Sequence, residues 1–360
     1  MKIRMLSPIR NFSMETEEIS LTKNLKIIKG ELLNSKIQLS RKFKEQVGSM
    51  NWELLTNHYI FYFLGEASEL IELRSSDRNT TMKTISGKLG DFFYQYIDGL
   101  WFVKDNCCFC NQYFLELIAD QQVSITYKDI VTSTATDQFS WFSFNEEELA
   151  WHNMLFFKMK MPQVVAEAHH QPHFDELFSG EGGIIASPTN KVVYNHPRLY
   201  RALFFLNMVR KNGSAITKIT FFMMLYECLF TSDDRSIAKR IRERAATLLG
   251  GNGKAKKAFK ELIFRAYDIR SRNVHGDAID LVPEKVREIV SALDQFTREL
   301  LLKLIESDEI KIFTSPESAE NKAAFENYFE GLVRQAAKVD FLEEMPGLLK
   351  PCVISAVIPR

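Results

Sequence analysis

The chain has 360 residues, with 46 Lys and Arg balanced by 46 Asp and Glu, and 46% of its residues are hydrophobic. This composition excludes a disordered, collagen-like or low-complexity chain, and the length calls for two or three domains. Zero net charge argues against a protein that coats nucleic acid over its whole surface, and no apolar run approaches the ~18 residues of a membrane-spanning helix.

Residues 1–9 carry basic side chains with no apolar stretch after them, unlike a secretory leader. Residues 57–63 are rich in β-formers and predict a strand, as do residues 123–132. Between them, Phe92, Phe93, Tyr96, Ile97 and Leu100 recur at helical spacing and predict a helix over 89–103. A further helix is expected over 146–161, with Asn145 as its N-cap. Residues 171–197 hold Gly180, Gly182, Gly183, Pro188 and Pro197 and little periodicity, which marks a linker.

Helical signals then dominate. Helices are expected over 198–209, 216–230, 233–249 (stopped by Gly250), 254–274 (stopped by Gly276) and from Pro283 to about 305. One more is expected over 316–339, capped by Ser315, before a Pro-punctuated tail. Short connections between successive helices predict a bundle. The fold class is therefore α+β overall and mainly α. A mixed N-terminal domain (1–190) precedes an all-α bundle (191–308) and a C-terminal helix and tail (309–360).

The most informative string is Ala266-Tyr-Asp-Ile-Arg-Ser-Arg-Asn-Val-His-Gly276. An Arg and a His separated by four residues at the end of a bundle helix resembles the signature of HEPN domains. Its Tyr-Asp-x-Arg-Ser context is similar to the Apea-like branch. Upstream, Met-Leu-Tyr-Glu-Cys-Leu (224–229) resembles that branch's helix with an embedded acid, here Glu227. Arg-Ile-Arg-Glu-Arg-Ala-Ala-Thr-Leu-Leu (240–249) resembles its Arg-rich helix. The likeness covers about 110 residues. It implies metal-independent RNA cleavage by a homodimer, with Arg270 and His275 of both protomers facing each other and no cofactor. It also implies a toxin or anti-phage role, with transfer RNA as one RNA in the family's habit; a cytoplasmic location is expected separately, because five Cys, three of them bunched, make no disulfide framework. An antitoxin or a phage-derived trigger would be a partner, and the N-terminal domain would sense the trigger or position substrate.

The residue types suit that chemistry independently. Cleavage without a metal needs a proton acceptor for the 2′-hydroxyl, a donor for the leaving 5′-oxygen and a cation for the phosphorane. Imidazole suits proton transfer near neutral pH, and guanidinium holds phosphate oxygens in a fork. Residues five apart on a straight helix lie about 140° apart. Either the helix ends between Arg270 and His275, or two copies of the motif build one site. The plainer alternative is a solvated helix end on which Arg270 pairs with Asp268 or Asp277. Ser271, four before His275, could orient the ring or touch phosphate. Tyr267, Arg272 and Asn273 are candidate RNA contacts that could equally be packing or surface residues. Glu227 sits in an apolar helix and needs a partner, because burying a lone carboxylate is costly. Arg270 is one candidate, and Arg242 or Arg244 are the others.

Cys107 and Cys110 form half of a zinc site with no second Cys pair, and His169, His170 and His173 could complete it only if the fold brought them close. Buried thiols are the expected reading, with no metal. Two other functions stand against the nuclease: a non-catalytic HEPN-type module that binds RNA or a nucleotide or dimerises, and a zinc enzyme that a chelator would inhibit. Finally, twelve Lys or Arg against three acids fall between Arg235 and His275, a local excess of nine positive charges. The neutral total thus hides a basic segment beside the motif, where a polyanion could dock.

Overall fold

The computed structural model describes residues 1–37, 39–70, 78–158, 196–250 and 253–344. Residues 171–195 of the expected linker, the His169, His170 and His173 cluster, the boundary at 190 and the tail beyond 344 lie outside the described residues. The fold is α+β, with an antiparallel sheet in the N-terminal half and helices in the C-terminal half.

Eight strands are described: β1 (Lys2–Ile9), β2 (Phe12–Met14), β3 (Glu18–Ser20), β4 (Leu25–Lys29), β5 (Tyr59–Glu66), β6 (Gln112–Leu117), β7 (Gln122–Tyr127) and β8 (Phe142–Phe144). Six form an antiparallel sheet in the order β3-β4-β5-β1-β6-β7, and β2 and β8 pair in parallel beside it. Central β1 is covered on both faces, so it lacks the alternation of a half-solvated strand. On one face, Leu6, Ile60 and Phe114 pack against α1 (Leu32–Ser35), α2 (Arg41–Val47) and α3 (Ser49–Asn57). On the other, Ile3, Met5, Phe61 and Leu115 join the long helix α4 (Arg78–Gly99). Phe61 stacks on Phe93 with ring centroids 4.4 Å apart. Arg4 and Glu116 are cross-strand partners held by a 2.7 Å ion pair, so the buried charges satisfy each other.

The expected strand at 57–63 begins two residues later and runs to Glu66, because residues 49–57 complete α3. The strand expected over 123–132 stops at Tyr127. Helix α5 (Glu146–Lys158) starts as expected: the Asn145 side chain accepts from the Glu148 amide at 2.8 Å, and Glu148 accepts from the Asn145 amide at 3.1 Å.

The C-terminal half contains α6 (Arg198–Lys211), α7 (Ala215–Phe230), α8 (Ile237–Leu249), α9 (Gly253–His275), α10 (Pro283–Glu306), α11 (Ile310–Thr314) and α12 (Ala319–Glu344). Gly250 and Gly276, at φ of +75° and +78°, end α8 and α9 in the left-handed conformation that glycine adopts without strain. Apolar α7 is the hub and touches α6, α8, α9 and α10. The helix expected over 316–339 is corrected. Ser315 closes the short α11 through its bond to the Lys311 carbonyl, and Ser318, not Ser315, caps α12 by accepting from the Asn321 amide.

One hydrophobic core runs from β1 through α4 into the bundle and reaches Phe325 and Phe329 of α12. Polar ties cross the same junction. The Trp101 indole donates to Asp294 at 2.7 Å, Arg298 donates to the Trp101 carbonyl at 2.7 Å, and Arg210 holds Asp98. Fully buried Lys218 reaches across to Ser133 and Asp137 at 2.9 and 3.0 Å.

Candidate active site

Helix α9 carries the motif, and it continues without a break from Gly253 through His275. Its apolar residues Phe259, Ile263, Ala266 and Ile269 face the core. That packing fixes the rotation of the helix and hence the direction of every motif side chain.

Arg270 meets Glu227 of α7, with Nη2 3.4 Å from Oε1. Of the partners weighed for Glu227, the structure selects Arg270. Arg244 is taken by Glu326 of α12, and Arg242 lies over the Phe264 ring at 5.5 Å. Asp268, one of the two acids that the plainer alternative offered Arg270, pairs instead with Arg272 at 3.1 Å. Burial pushes the Glu227 carboxyl above its ordinary range, and the Arg270 guanidinium pulls it back. Glu227 Oε1 and Arg270 Nε are shielded from solvent and make no hydrogen bond. Two polar atoms left unsatisfied in this way are costly, and such groups concentrate at sites with a chemical task.

Tyr267 joins this pair, with its ring 5.6 Å from the Arg270 guanidinium. Burial and the neighbouring Glu227 charge push its phenol up. Asn273 donates to Thr220 of α7 at 3.0 Å, which ties the end of α9 to the hub helix. Ser271 is half-buried. Arg272 is exposed and engaged, by Asp268 and by the Ala278 carbonyl at 3.3 Å.

His275 is the last residue of α9 and is exposed. Because the helix is unbroken, it projects about 140° around the axis from Arg270. Glu227, Tyr267 and Arg270 therefore form one group, and His275 stands apart from them in the same protomer. Of the two arrangements left open by the spacing, a helix ending between Arg270 and His275 is the one the structure removes.

Phe264, absent from the sequence-based candidates, lines a groove beside the motif helix, and Arg242, weighed only as a partner for Glu227, lies over its ring. The available signal was a large aromatic at an α9 position off the buried stripe; Phe264 is 54% exposed.

Cys107, Cys108 and Cys110 are buried, and burial pushes all three thiols up. Cys107 and Cys108 donate to the carbonyls of Ser140 and Asn11. Among the described residues, no group of three or more His, Cys, Asp or Glu is placed to hold a metal ion, and no helix is long and apolar enough to cross a membrane. No family model, no curated protein and no solved structure matches this chain.

Proposed function

We propose that this protein is a metal-independent endoribonuclease of the HEPN type, close to the Apea-like branch, that works as a homodimer. One observation carries the reading: Arg270 and His275 lie on different faces of a single unbroken helix, with Arg270 already set by Glu227. Arg270 answers the charge of Glu227, whereas exposed His275 is not demanded by packing at the end of that helix. A pair that cannot converge within one protomer converges when two copies of α9 oppose each other across a two-fold axis.

In the proposed reaction, an imidazole accepts the 2′-hydroxyl proton as that oxygen attacks the adjacent phosphate. The second copy's ring, starting as imidazolium, gives its proton to the leaving 5′-oxygen, and the guanidinium groups hold the pentavalent phosphorane. The products are a 2′,3′-cyclic phosphate and a 5′-hydroxyl. Glu227 acts on Arg270 and keeps its guanidinium oriented. The basic segment on α8 and α9 draws the polyanion in. A toxin or anti-phage role, with the N-terminal sheet domain as the receiver of a trigger, fits a nuclease that must be restrained in its host.

The test is sequencing of RNA ends after brief expression of the parent, Arg270→Ala and His275→Ala proteins. New 5′-hydroxyl ends in the parent alone, formed also by purified protein in EDTA, support the proposal. Equal cleavage by all three refutes it. RNA binding without cleavage by the parent would favour the non-catalytic module.

A further inference from the structure

The His275 side of α9 is bordered by a groove of about 560 Å³, within the range of small-molecule sites, between α9 and the start of α10. Its walls include Phe264, Asp268, Ile269 and Arg272 from α9, with Leu281 and Ile289 opposite. Helical geometry places it relative to the motif. Phe264, Asp268 and His275 are seven and eleven residues apart in the order that keeps them within about 20° of one line on the helix surface. His275 thus lies two turns past Asp268 and three turns past Phe264, along the same face.

The chemistry of the groove is specific. Phe264 leaves more than half of its surface open, and the Arg242 guanidinium lies at its ring, 5.5 Å from the centroid. An open aromatic face beside a guanidinium is the arrangement that stacks on a nucleobase. Two carboxylates line the groove, Asp268 and Asp280, against three cations, Arg265, Arg272 and Lys285, and Asp268 is held by Arg272 at 3.1 Å. Further along the same face, toward the start of α9, Lys257 and Lys260 are exposed. Lys257, eighteen residues before His275, falls on the same line, and Lys260 lies about 60° to its side; both are cations suited to a phosphate backbone.

We infer that this groove is a nucleobase pocket that grips one unpaired base of a single-stranded RNA, while Lys257 and Lys260 follow its backbone and the strand runs on to His275. The inference rests on the ribonuclease reading for the role of His275, and on the groove itself for binding. It makes the substrate single-stranded, because a base within a duplex cannot present its face to Phe264.

The experiment uses the full chain carrying His275→Ala, so that RNA stays intact, and fluorescein-labelled single-stranded and double-stranded RNA of equal length. Anisotropy reads binding, and light scattering reads the oligomer. Adding Phe264→Ala is expected to weaken single-strand binding by about tenfold, in line with the loss of one stacked base. Phe264→Tyr should restore it, and duplex binding should change less than twofold. In the protein with His275 intact, Phe264→Ala should flatten the nucleotide preference at one position near the cut. Unchanged single-strand affinity overturns the inference, as does a shift of Phe264→Ala to monomer, which would make the groove a contact between protomers. Failure of the nuclease reading would appear separately, as no cleavage by the parent, and leaves the binding result standing.

Discussion

Glu227 is the residue whose task can be isolated most cleanly. It is a carboxylate in the most apolar helix of the bundle, its partner lies on another helix, and one oxygen is left without a hydrogen bond. Glu227→Ala strands the half-buried Arg270 cation. The expected cost is about 1–2 kcal/mol of stability in urea unfolding, below that of a fully buried pair because both groups keep some solvent. The same variant should cut RNA at least tenfold more slowly, since an unanchored guanidinium is no longer preorganised. Glu227→Gln should recover most of the stability and less of the activity. A variant that is stable and fully active would remove Glu227 from the site. The sequence made this pair legible up to a choice: a buried acid demands a cation, and three arginines were in range. Packing then decided, because Glu326 claims Arg244 and Phe264 claims Arg242. No local pattern could have announced Glu326, which is 82 positions from Arg244.

Among the elements, helices were legible and strands largely were not. Caps and 3.6-residue periodicity are local, so α6, α7, α9 and α10 lie within two residues of their expected ends. By contrast, β1 is buried on both faces and shows no alternation, and its partners β5 and β6 lie some 50 to 110 positions away. The junction between the sheet half and the bundle was equally hidden. There, α10 presents Asp294 to Trp101 and Arg298 in a buried setting. Burial and the nearby Asp105 charge push the Asp294 carboxyl up to about 6, against the pull of Arg298. A folded value above the unfolded one means that folding favours the protonated form. This contribution is fully present below about pH 4 and is lost as pH rises through about 6. Asp294→Asn keeps an acceptor for the Trp101 indole and carries no charge. Its stability relative to the parent should therefore improve by about 1–3 kcal/mol between pH 4 and pH 7. A pH-independent difference in urea midpoints would contradict this account. Trp101→Phe removes the donor and leaves a buried carboxylate short of a partner, at an expected cost of about 1–3 kcal/mol at pH 7.

For the whole molecule, the decisive expectation is dominance. The proposed composite site takes one imidazole from each copy, so when parent and His275→Ala chains are unfolded together and refolded as a mixture, cleavage should fall with the square of the parent's share of chains, because only parent homodimers keep both imidazoles. Cleavage measured across mixing ratios checks this. A fall in direct proportion to the parent's share would argue that a single chain carries a whole site.

Helix α12 carries a consequence for synthesis. Phe325 and Phe329 complete the bundle core, Glu326 receives Arg244, and the Arg198 guanidinium lies over the Phe325 ring. All of these contacts come from chain made about fifty residues after His275. While the ribosome is still translating that segment, α6 and α8 have arginines without their partner and a core without its last aromatic layer. The nascent chain therefore carries α9 and its motif before the bundle core is closed. Under the proposed function, cleavage would await completion of α12 and stay off the message and ribosome that are producing the chain.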